Sequence, residues 1–320
     1  MTPGETNVPP DDRTDPGTGS GPPRYPGTFL LAFREAVAGL KWEVRRWLGA
    51  MVVLADAAGH EHTIGLENLF RRVRPAERSD WPGLITEFLR VVGESDRTDE
   101  LPADLAGVAD RLLVRLGLPF QPRTSEAPIW SEPVGDTGLV INLVVDYPNR
   151  MVYVPEKMIK DSGKPGSAWL DQALANLKGR TPAECFQPVH EESGLLACSV
   201  ADSYESSRAL ILDALLPEGA EHGFFVGLPG RDQLLVLPVA VANLVYVPLV
   251  KILTERNFKS TPYPISGEVY WVRGREWQQF PITVQGQKVE IEPPEKFVEM
   301  IDRLREEEGV EDEPGEDEAT

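Results

Sequence analysis

Residues Asp202–Pro238, DSYESSRALILDALLPEGAEHGFFVGLPGRDQLLVLP, form the clearest structural pattern in the chain. A polar start leads into the almost wholly apolar run ALILDALLP, which indicates a buried helix with Asp202 as its N-cap. The following FFVGLPGRDQLLVLP indicates two buried strands joined by a tight turn, with Pro229 and Gly230 at the centre of a type II turn. This stretch therefore predicts a helix followed by a hairpin, with polar side chains at the edges of both.

Helix and strand patterns are interspersed along the rest of the chain, and several strand patterns are neighbours in sequence. Neighbouring strands favour antiparallel pairing, so we expect an α+β fold with mixed, largely antiparallel sheets and packed helices. The apolar spacing predicts further helices at 28–47, 66–74, 80–93, 103–117, 155–162, 167–179, 240–257 and after Pro293. Further strands are predicted at 50–56, 61–66, 138–147, 150–154, 184–189, 195–200, 268–274, 278–285 and 287–292.

Composition divides the chain into four parts. Residues 1–27 hold seven prolines and five glycines and few bulky apolar residues, so we expect a disordered head. An N-terminal α+β unit is predicted at 28–118, and a second unit at 119–304 begins with a connector rich in Pro, Ser and Thr. Residues 305–320 carry nine acidic residues against one arginine and predict a solvated, disordered tail, with a basic partner as the alternative.

Charge and cysteine content exclude several classes of partner. The formal net charge of −19 argues against a nucleic-acid partner, because phosphate binding needs clustered Lys and Arg. Cys185 and Cys198 predict two buried thiols in a reducing cytosol. The N-terminal residues lack the basic and apolar regions of a signal peptide, so a cytoplasmic location is expected. The uncharged run 233–250 is interrupted by Pro238 and Pro248, which predicts a buried strand and helix and no membrane span.

The sequence contains no recognisable catalytic or metal-binding signature. His60 and His62 would face the same side of a strand and could share a metal, but a third ligand with useful spacing is missing. We therefore predict a polar hairpin tip there, with no metal. Signatures of serine hydrolases, zinc proteases, dithiol redox proteins and phosphate-binding glycine loops are absent, so no catalytic residue and no cofactor is assigned.

The candidate binding surface lies at the polar edges of the opening stretch. Tyr204 and Arg208 would share one helix face with Ser207 beside them, and the helix start would favour an anion. Arg231 would emerge from the hairpin, and its guanidinium suits phosphate or carboxylate groups. The alternative is a capped helix and a tight hairpin with an ordinary ion pair. The candidate residues are Asn176, Asp202, Tyr204, Ser207, Arg208, Arg231 and Asp232.

Four segments taken in order resemble the YtpQ-like family, a bacterial domain family of unknown function. They are MVYVPEKMIKDSG, LDQALANLKGRTP, DSYESSRALILDALLP and FFVGLPGRDQLLVLPV, and HTIGLENLFRRV is a weaker, earlier match. The resemblance spans about 28–275 and implies a cytoplasmic α+β protein, without adding a catalytic residue. The Pro-rich head, the acidic tail and the β-rich C-terminal stretch depart from the family's pattern.

These observations lead to three hypotheses about function. The first is a non-enzymatic module that binds a protein partner or a small anionic ligand. The alternative is a hydrolase or transferase with a divergent site, in which Asp202 or Asp232 activates Ser206 or Ser207. The third is peripheral membrane attachment through the apolar run 233–250.

Overall fold

The computed structural model describes residues 25–48, 51–95, 104–119, 127–147, 151–190, 192–261, 263–286 and 288–308. The chain divides into two compact units, Met1–Leu89 and Arg90–Thr320. Both contain helices and antiparallel sheets, so the predicted α+β class is confirmed. The predicted disordered head and tail lie outside the described residues, apart from 25–27 and 305–308; residues 305–308 belong to the last helix and not to a tail.

The first unit pairs a small sheet with helices. Its elements are α1 Gly27–Gly39, β1 Glu43–Leu48, β2 Met51–Ala55, β3 Glu61–Gly65 and α2 Leu66–Val73, with a 3-10 turn at Arg78–Asp80. The unit boundary after Leu89 falls within the next helix, α3 Trp81–Ser95. The strands pair in the antiparallel order β1-β2-β3. The helix predicted to continue to residue 47 ends earlier, because the backbone turns through Lys41 at φ 58° and the following residues pair with β2.

The second unit contains most of the strands. Its helices are α4 Glu156–Asp161, α5 Gly166–Arg180, α6 Leu212–Leu215, α7 Val247–Phe258 and α8 Glu295–Glu308. Its strands are β4 Leu112–Gly117, β5 Ser131–Pro133, β6 Val140–Asp146, β7 Met151–Tyr153, β8 Phe186–Pro188, β9 Leu196–Cys198, β10 Phe224–Gly230, β11 Gln233–Pro238, β12 Val269–Arg273, β13 Glu276–Phe280, β14 Ile282–Gln285 and β15 Lys288–Ile291. Short 3-10 segments lie at Ala106–Arg111, Ser206–Ile211, Pro217–Gly219 and Val241–Tyr246.

Two sheets build the core of this unit. β4, β6 and β5 form one antiparallel sheet, to which β7 is added by pairing with β6, and the other has the order β13-β12-β10-β11-β9-β8. Side chains alternate along β10: Phe224 and Val226 join a core with β4, β6 and α5, whereas Phe225 joins a second core with α7 and α8. The longer sheet therefore has an apolar core on each face, as the run of fully buried residues in β10 requires.

The boundary between the units differs from the prediction because one element was assigned wrongly. Residues 103–117 were expected to be a helix of the first unit, but 112–117 form β4, which pairs along its length with β6 of the second unit. The sequence LLVRLG is buried on both faces and lacks the alternation that marks a half-buried strand. Leucine and arginine also favour helices, so local propensity pointed away from the observed strand.

The apolar run 233–250 forms a strand and a helix, as predicted. It comprises β11, the 3-10 segment Val241–Tyr246 and the start of α7, in which Pro248 occupies the first turn. In the part of the chain that the structure describes, no helix combines the length and the apolar character that crossing a bilayer requires.

Candidate functional site

The segment after Asp202 is less regular than the predicted capped helix. A 3-10 segment, Ser206–Ile211, precedes the short helix α6, and no side chain caps the 3-10 segment. Asp202 Oδ1 instead accepts a hydrogen bond from the backbone N–H of Tyr204, at 2.9 Å. The predicted capping role is therefore wrong: Asp202 closes a local turn, and its carboxylate binds a side chain further along the chain.

Arg208 is held in a buried ion pair. Its Nη1 and Nη2 atoms donate to the two carboxylate oxygens of Asp202 at 2.8 and 2.6 Å, and Nε donates to Thr181 Oγ1 at 3.0 Å. The Arg208 side chain is 0% exposed, whereas that of Asp202 is 34% exposed. A guanidinium in a bidentate ion pair inside the protein is a structural group. These contacts favour the alternative role of Arg208, an ordinary ion pair.

The loop that carries Asp202 is held in an unusual backbone conformation. Ala201 and Ser203 adopt φ values of 62° and 69°, in the left-handed region that L side chains rarely occupy. The loop is fixed from several sides: the Ala201 N–H donates to Glu205 Oε1 at 2.6 Å, and Arg115 Nη1 donates to the Ser203 carbonyl at 3.0 Å. Backbone strain of this kind persists only where surrounding contacts determine the conformation.

The Asp202–Arg208 ion pair makes the free energy of unfolding depend on pH. Burial would raise the pKa of Asp202, but hydrogen bonds from Arg208 and its charge outweigh burial, so the pKa falls below its ordinary value of 3.8. The ionised Asp202 carboxylate contributes its full stabilisation above the pKa that it has in the unfolded chain. This stabilisation is lost as the pH falls through the lower pKa that Asp202 has in the folded protein. We expect Asp202→Asn to be less stable than wild type at neutral pH, with the difference shrinking below about pH 4.

Urea unfolding of wild type and Asp202→Asn across this pH range measures the difference. The matched control is Asp171→Asn, which removes the partner of Arg275 in an exposed pair with side chains 83% and 62% exposed. Exposed pairs contribute little, so the control should match wild type at every pH. If the stability difference between wild type and Asp202→Asn stayed constant down to acid pH, the expected dependence on Asp202 ionisation would be contradicted.

The hairpin turn lies two residues later than predicted. Gly230 pairs with Gln233, so Arg231 and Asp232 form the turn, and Gly230 belongs to β10. A Cβ atom at Gly230 would lie 2.6 Å from Thr261 Oγ1, and the position has no positive φ. Close packing against the neighbouring segment, and not type II turn geometry, therefore explains this glycine.

The turn places Arg231 against an aromatic ring. Its guanidinium carbon lies 3.3 Å from the centre of the Tyr263 ring, and its backbone N–H donates to the Tyr263 carbonyl at 3.2 Å. The Arg231 carbonyl accepts the backbone N–H of Ser206 at 3.2 Å and its hydroxyl at 3.0 Å. Backbone contacts on both sides thus fix the position of this cation.

A second arginine, Arg115 on β4, approaches the same region. Its guanidinium lies 5.5 Å from the Tyr204 ring centre and hydrogen-bonds to the hydroxyl of Tyr153 on β7. The charges of Arg115 and Arg231 both act on that hydroxyl. Burial raises the pKa of Tyr153 despite these two cations, so the phenol is protonated at neutral pH. We call Arg115, Tyr153 and Arg231 the arginine–tyrosine cluster.

Three other predicted residues have structural contacts. Asn176 Nδ2 donates to the carbonyls of Ala109 and Leu112, at 2.7 and 2.8 Å. Tyr204 donates its hydroxyl to Asp146 at 2.9 Å, and Ser207 Oγ accepts the Leu116 N–H at 3.1 Å. These contacts join β4 and β6 to the helices and loops packed on them. Of the candidate residues, Arg231 belongs to the arginine–tyrosine cluster, and the Tyr204 ring lies against Arg115 of that cluster.

The histidine pair lies around one carboxylate of the first unit. Asp56 Oδ2 is 3.1 Å from His60 Nδ1 and 3.4 Å from His62 Nε2. His60 is exposed at the hairpin, whereas His62 is buried and stacks on Trp42 with ring centres 4.9 Å apart. Within the described ranges, no three His, Cys, Asp or Glu side chains are arranged to hold a metal ion.

Sequence reasoning missed Arg115, Tyr153 and Tyr263. Arg115 is the only charge in the apolar run LLVRLG, which is the one signal that could have marked it. The sequence predicts a helix for this run, and a single arginine on a helix does not indicate a site. Comparison of the chain with protein-family models, with curated proteins and with solved structures gave no significant match.

Proposed function

We propose that this is a non-enzymatic binding protein whose arginine–tyrosine cluster takes a small anionic group, either free or carried by a partner protein. The observation that carries the proposal is the hydrogen bond between Arg115 on β4 and the Tyr153 hydroxyl, on which the charge of Arg231 in the β10–β11 turn also acts. Guanidinium groups bind carboxylate and phosphate oxygens through paired hydrogen bonds. A protonated phenol adds a neutral donor to the same site.

The contacts that hold the two arginines support this role. Arg115 lies over the ring of Tyr204, and Arg231 lies over the ring of Tyr263. Contact with an aromatic ring restrains a guanidinium. A restrained cation loses less entropy when it binds an anion.

The serine contacts weigh against the hydrolase or transferase alternative. Ser206 and Ser207 are each 1% exposed. Ser206 donates its hydroxyl to the Arg231 carbonyl, and Ser207 accepts the Leu116 N–H, so both are used in packing. Asp202, the proposed activating group, binds Arg208 through both oxygens. A nucleophile needs an accessible oxygen beside a base, and we therefore prefer the binding function.

A cytoplasmic location and membership of the YtpQ-like family remain part of this proposal. Cys185 and Cys198 are both free and buried, which supports a reducing compartment. Burial raises the pKa of both thiols, so they are poor nucleophiles at neutral pH.

Anion binding can be tested directly by titration. Sodium phosphate and sodium acetate, at constant ionic strength, would be added to the full chain while the Tyr153 ring and arginine Nε–H signals are followed by NMR. In wild type we expect chemical-shift changes that saturate as anion is added. In Arg115→Gln and Arg231→Gln the affinity should fall by about tenfold or more, because a hydrogen bond to a charged group contributes about 1.5–3 kcal/mol. Comparison of the two salts distinguishes phosphoryl from carboxylate recognition.

Two further variants separate binding from folding. Arg275→Gln makes the same charge change at an exposed arginine and should leave the affinity unchanged. Tyr153→Phe removes only the hydroxyl and should weaken binding while the chain stays folded. Equal affinities in wild type, Arg115→Gln and Arg231→Gln would refute the proposed site.

A further inference from the structure

The strand β15, which ends the β14–β15 hairpin, has an open edge. It pairs with β14 and, in the part of the chain that the structure describes, with no other strand. An open edge presents backbone N–H and C=O groups that can pair with another strand. Two other sheet edges are blunted, since β1 carries a bulge between Val44 and Arg46 and β8 contains Pro188. We propose that β15 pairs edge to edge with β15 of a second copy of this chain, independently of the anion site.

A hydrogen bond just beyond the hairpin ladder shows which backbone groups face the open edge. The Glu292 N–H donates to the Pro281 carbonyl at 3.1 Å, so Glu292 points its backbone groups towards the β14 side. Along an antiparallel ladder, residues that point their backbone groups at the partner strand alternate with residues that point them away. Glu290 therefore points its groups at β14, whereas Val289 and Ile291 point theirs at the open edge. These two residues offer donors and acceptors to a second strand.

The side chains of Val289 and Ile291 add an apolar surface beside this edge. They are 41% and 40% exposed. Their cross-strand partners Val284 and Ile282 pack against the core that contains α7 and α8, and residues directly opposite in a ladder share one face of the sheet. Pairing of two β15 strands would continue this apolar face across both copies. It would also remove part of the exposed valine and isoleucine surface from water, which favours association.

Charge complementarity selects one antiparallel register for the two copies. With Val289 on the twofold axis, Lys288 lies opposite Glu290 of the second copy, and this pair occurs twice. Centring the strands on Lys288 or on Glu290 would place two like charges directly opposite each other, which destabilises a sheet. Centring them on Ile291 would place Glu290 opposite Glu292. Lys288 and Glu290 also form an exposed ion pair within one chain, so the pairing at Val289 adds a second partner to each.

Sedimentation velocity of the full-length chain over a wide range of protein concentration tests the pairing. The mass should rise from 35.4 kDa towards twice that value as the concentration increases. Val289→Pro removes an N–H at the open edge and leaves the N–H groups that bond to β14, so this variant should stay folded and monomeric. Urea unfolding checks that it is folded. A wild type that is monomeric at every concentration would assign the edge to a different partner and overturn the proposal, as would a dimer that persists unchanged in Val289→Pro.

Charge variants test both the partner and the register. Lys288→Glu and Glu290→Lys each place like charges opposite each other, so each variant alone should self-associate about tenfold more weakly than wild type, or weaker still. An equimolar mixture of the two variants should associate again, because every acidic strand then faces a basic one. The double variant Lys288→Glu/Glu290→Lys keeps the charges complementary and should dimerise as wild type does.

A matched control separates this effect from a general effect of net charge. Lys157→Glu makes the same charge change at an exposed lysine of α4 and should leave association unchanged. Single variants that self-associate as strongly as wild type would refute pairing in this register. A mixture of Lys288→Glu and Glu290→Lys that stays monomeric would refute it as well.

Discussion

Replacing Asp202 by Ala is expected to destabilise the protein by about 3 kcal/mol, the largest effect that we predict for a polar residue. Arg208 has no exposed surface, so its guanidinium would lose its counter-ion without gaining water. Breaking a buried ion pair from one side costs about 3–5 kcal/mol. We take the lower figure because Asp202 itself is 34% exposed, and water entering its place would partly solvate Arg208.

The double variant Asp202→Ala/Arg208→Met identifies the physical cause. Removing both charges leaves no unpaired cation, and replacing a buried ion pair by apolar groups is often neutral. We therefore expect the double variant to be more stable than Asp202→Ala alone. Urea unfolding of wild type, both single variants and the double variant gives the coupling energy. Additive losses would mean that the two side chains do not act as a pair.

Replacing Gly227 by Ala is expected to cost about 3 kcal/mol for a steric reason. The added Cβ would lie 2.0 Å from Thr254 Oγ1 and 3.2 Å from Thr254 Cβ, so β10 and α7 would have to separate. Gly227 therefore permits the close contact between the longer sheet and α7. Overpacking in a tight core costs about 1–3 kcal/mol, and the short distance places this substitution at the upper end.

Removing Thr254 Oγ1 should restore most of the stability that Gly227→Ala loses. Thr254 Oγ1 is buried and, among the described residues, has no hydrogen-bond partner, so Thr254→Ala alone should have a small effect. The double variant Gly227→Ala/Thr254→Ala should then be clearly more stable than Gly227→Ala. Gly179→Ala is the matched control: it lies in α5 with no atom within 4 Å of the new Cβ, and it should be neutral or slightly stabilising. Equal losses at Gly179 and Gly227 would contradict the steric explanation.

The amino-acid sequence by itself determined the fold class and many of the elements. Helical spacing of apolar residues located α3, α5 and α8, and runs of β-branched and apolar residues located β2, β6, β10 and β11. These spacings of apolar residues can be recognised in the sequence because each depends only on which face of a single helix or strand is buried. Where burial on both faces removed the alternation, as in β4, local propensity gave the wrong element.

Only the tertiary structure decided which polar groups meet. The sequence placed Arg208 and Arg231 on one candidate binding surface. In the structure Arg208 is paired internally with Asp202, whereas the charges of Arg231 and Arg115 both act on Tyr153. The contacts of Arg115 depend on β4 pairing with β6 and on β7 joining the same sheet. Strand pairing over such separations is set by the packing of whole sheets, which is why the opening stretch identified the hairpin but not the arginine that its turn approaches.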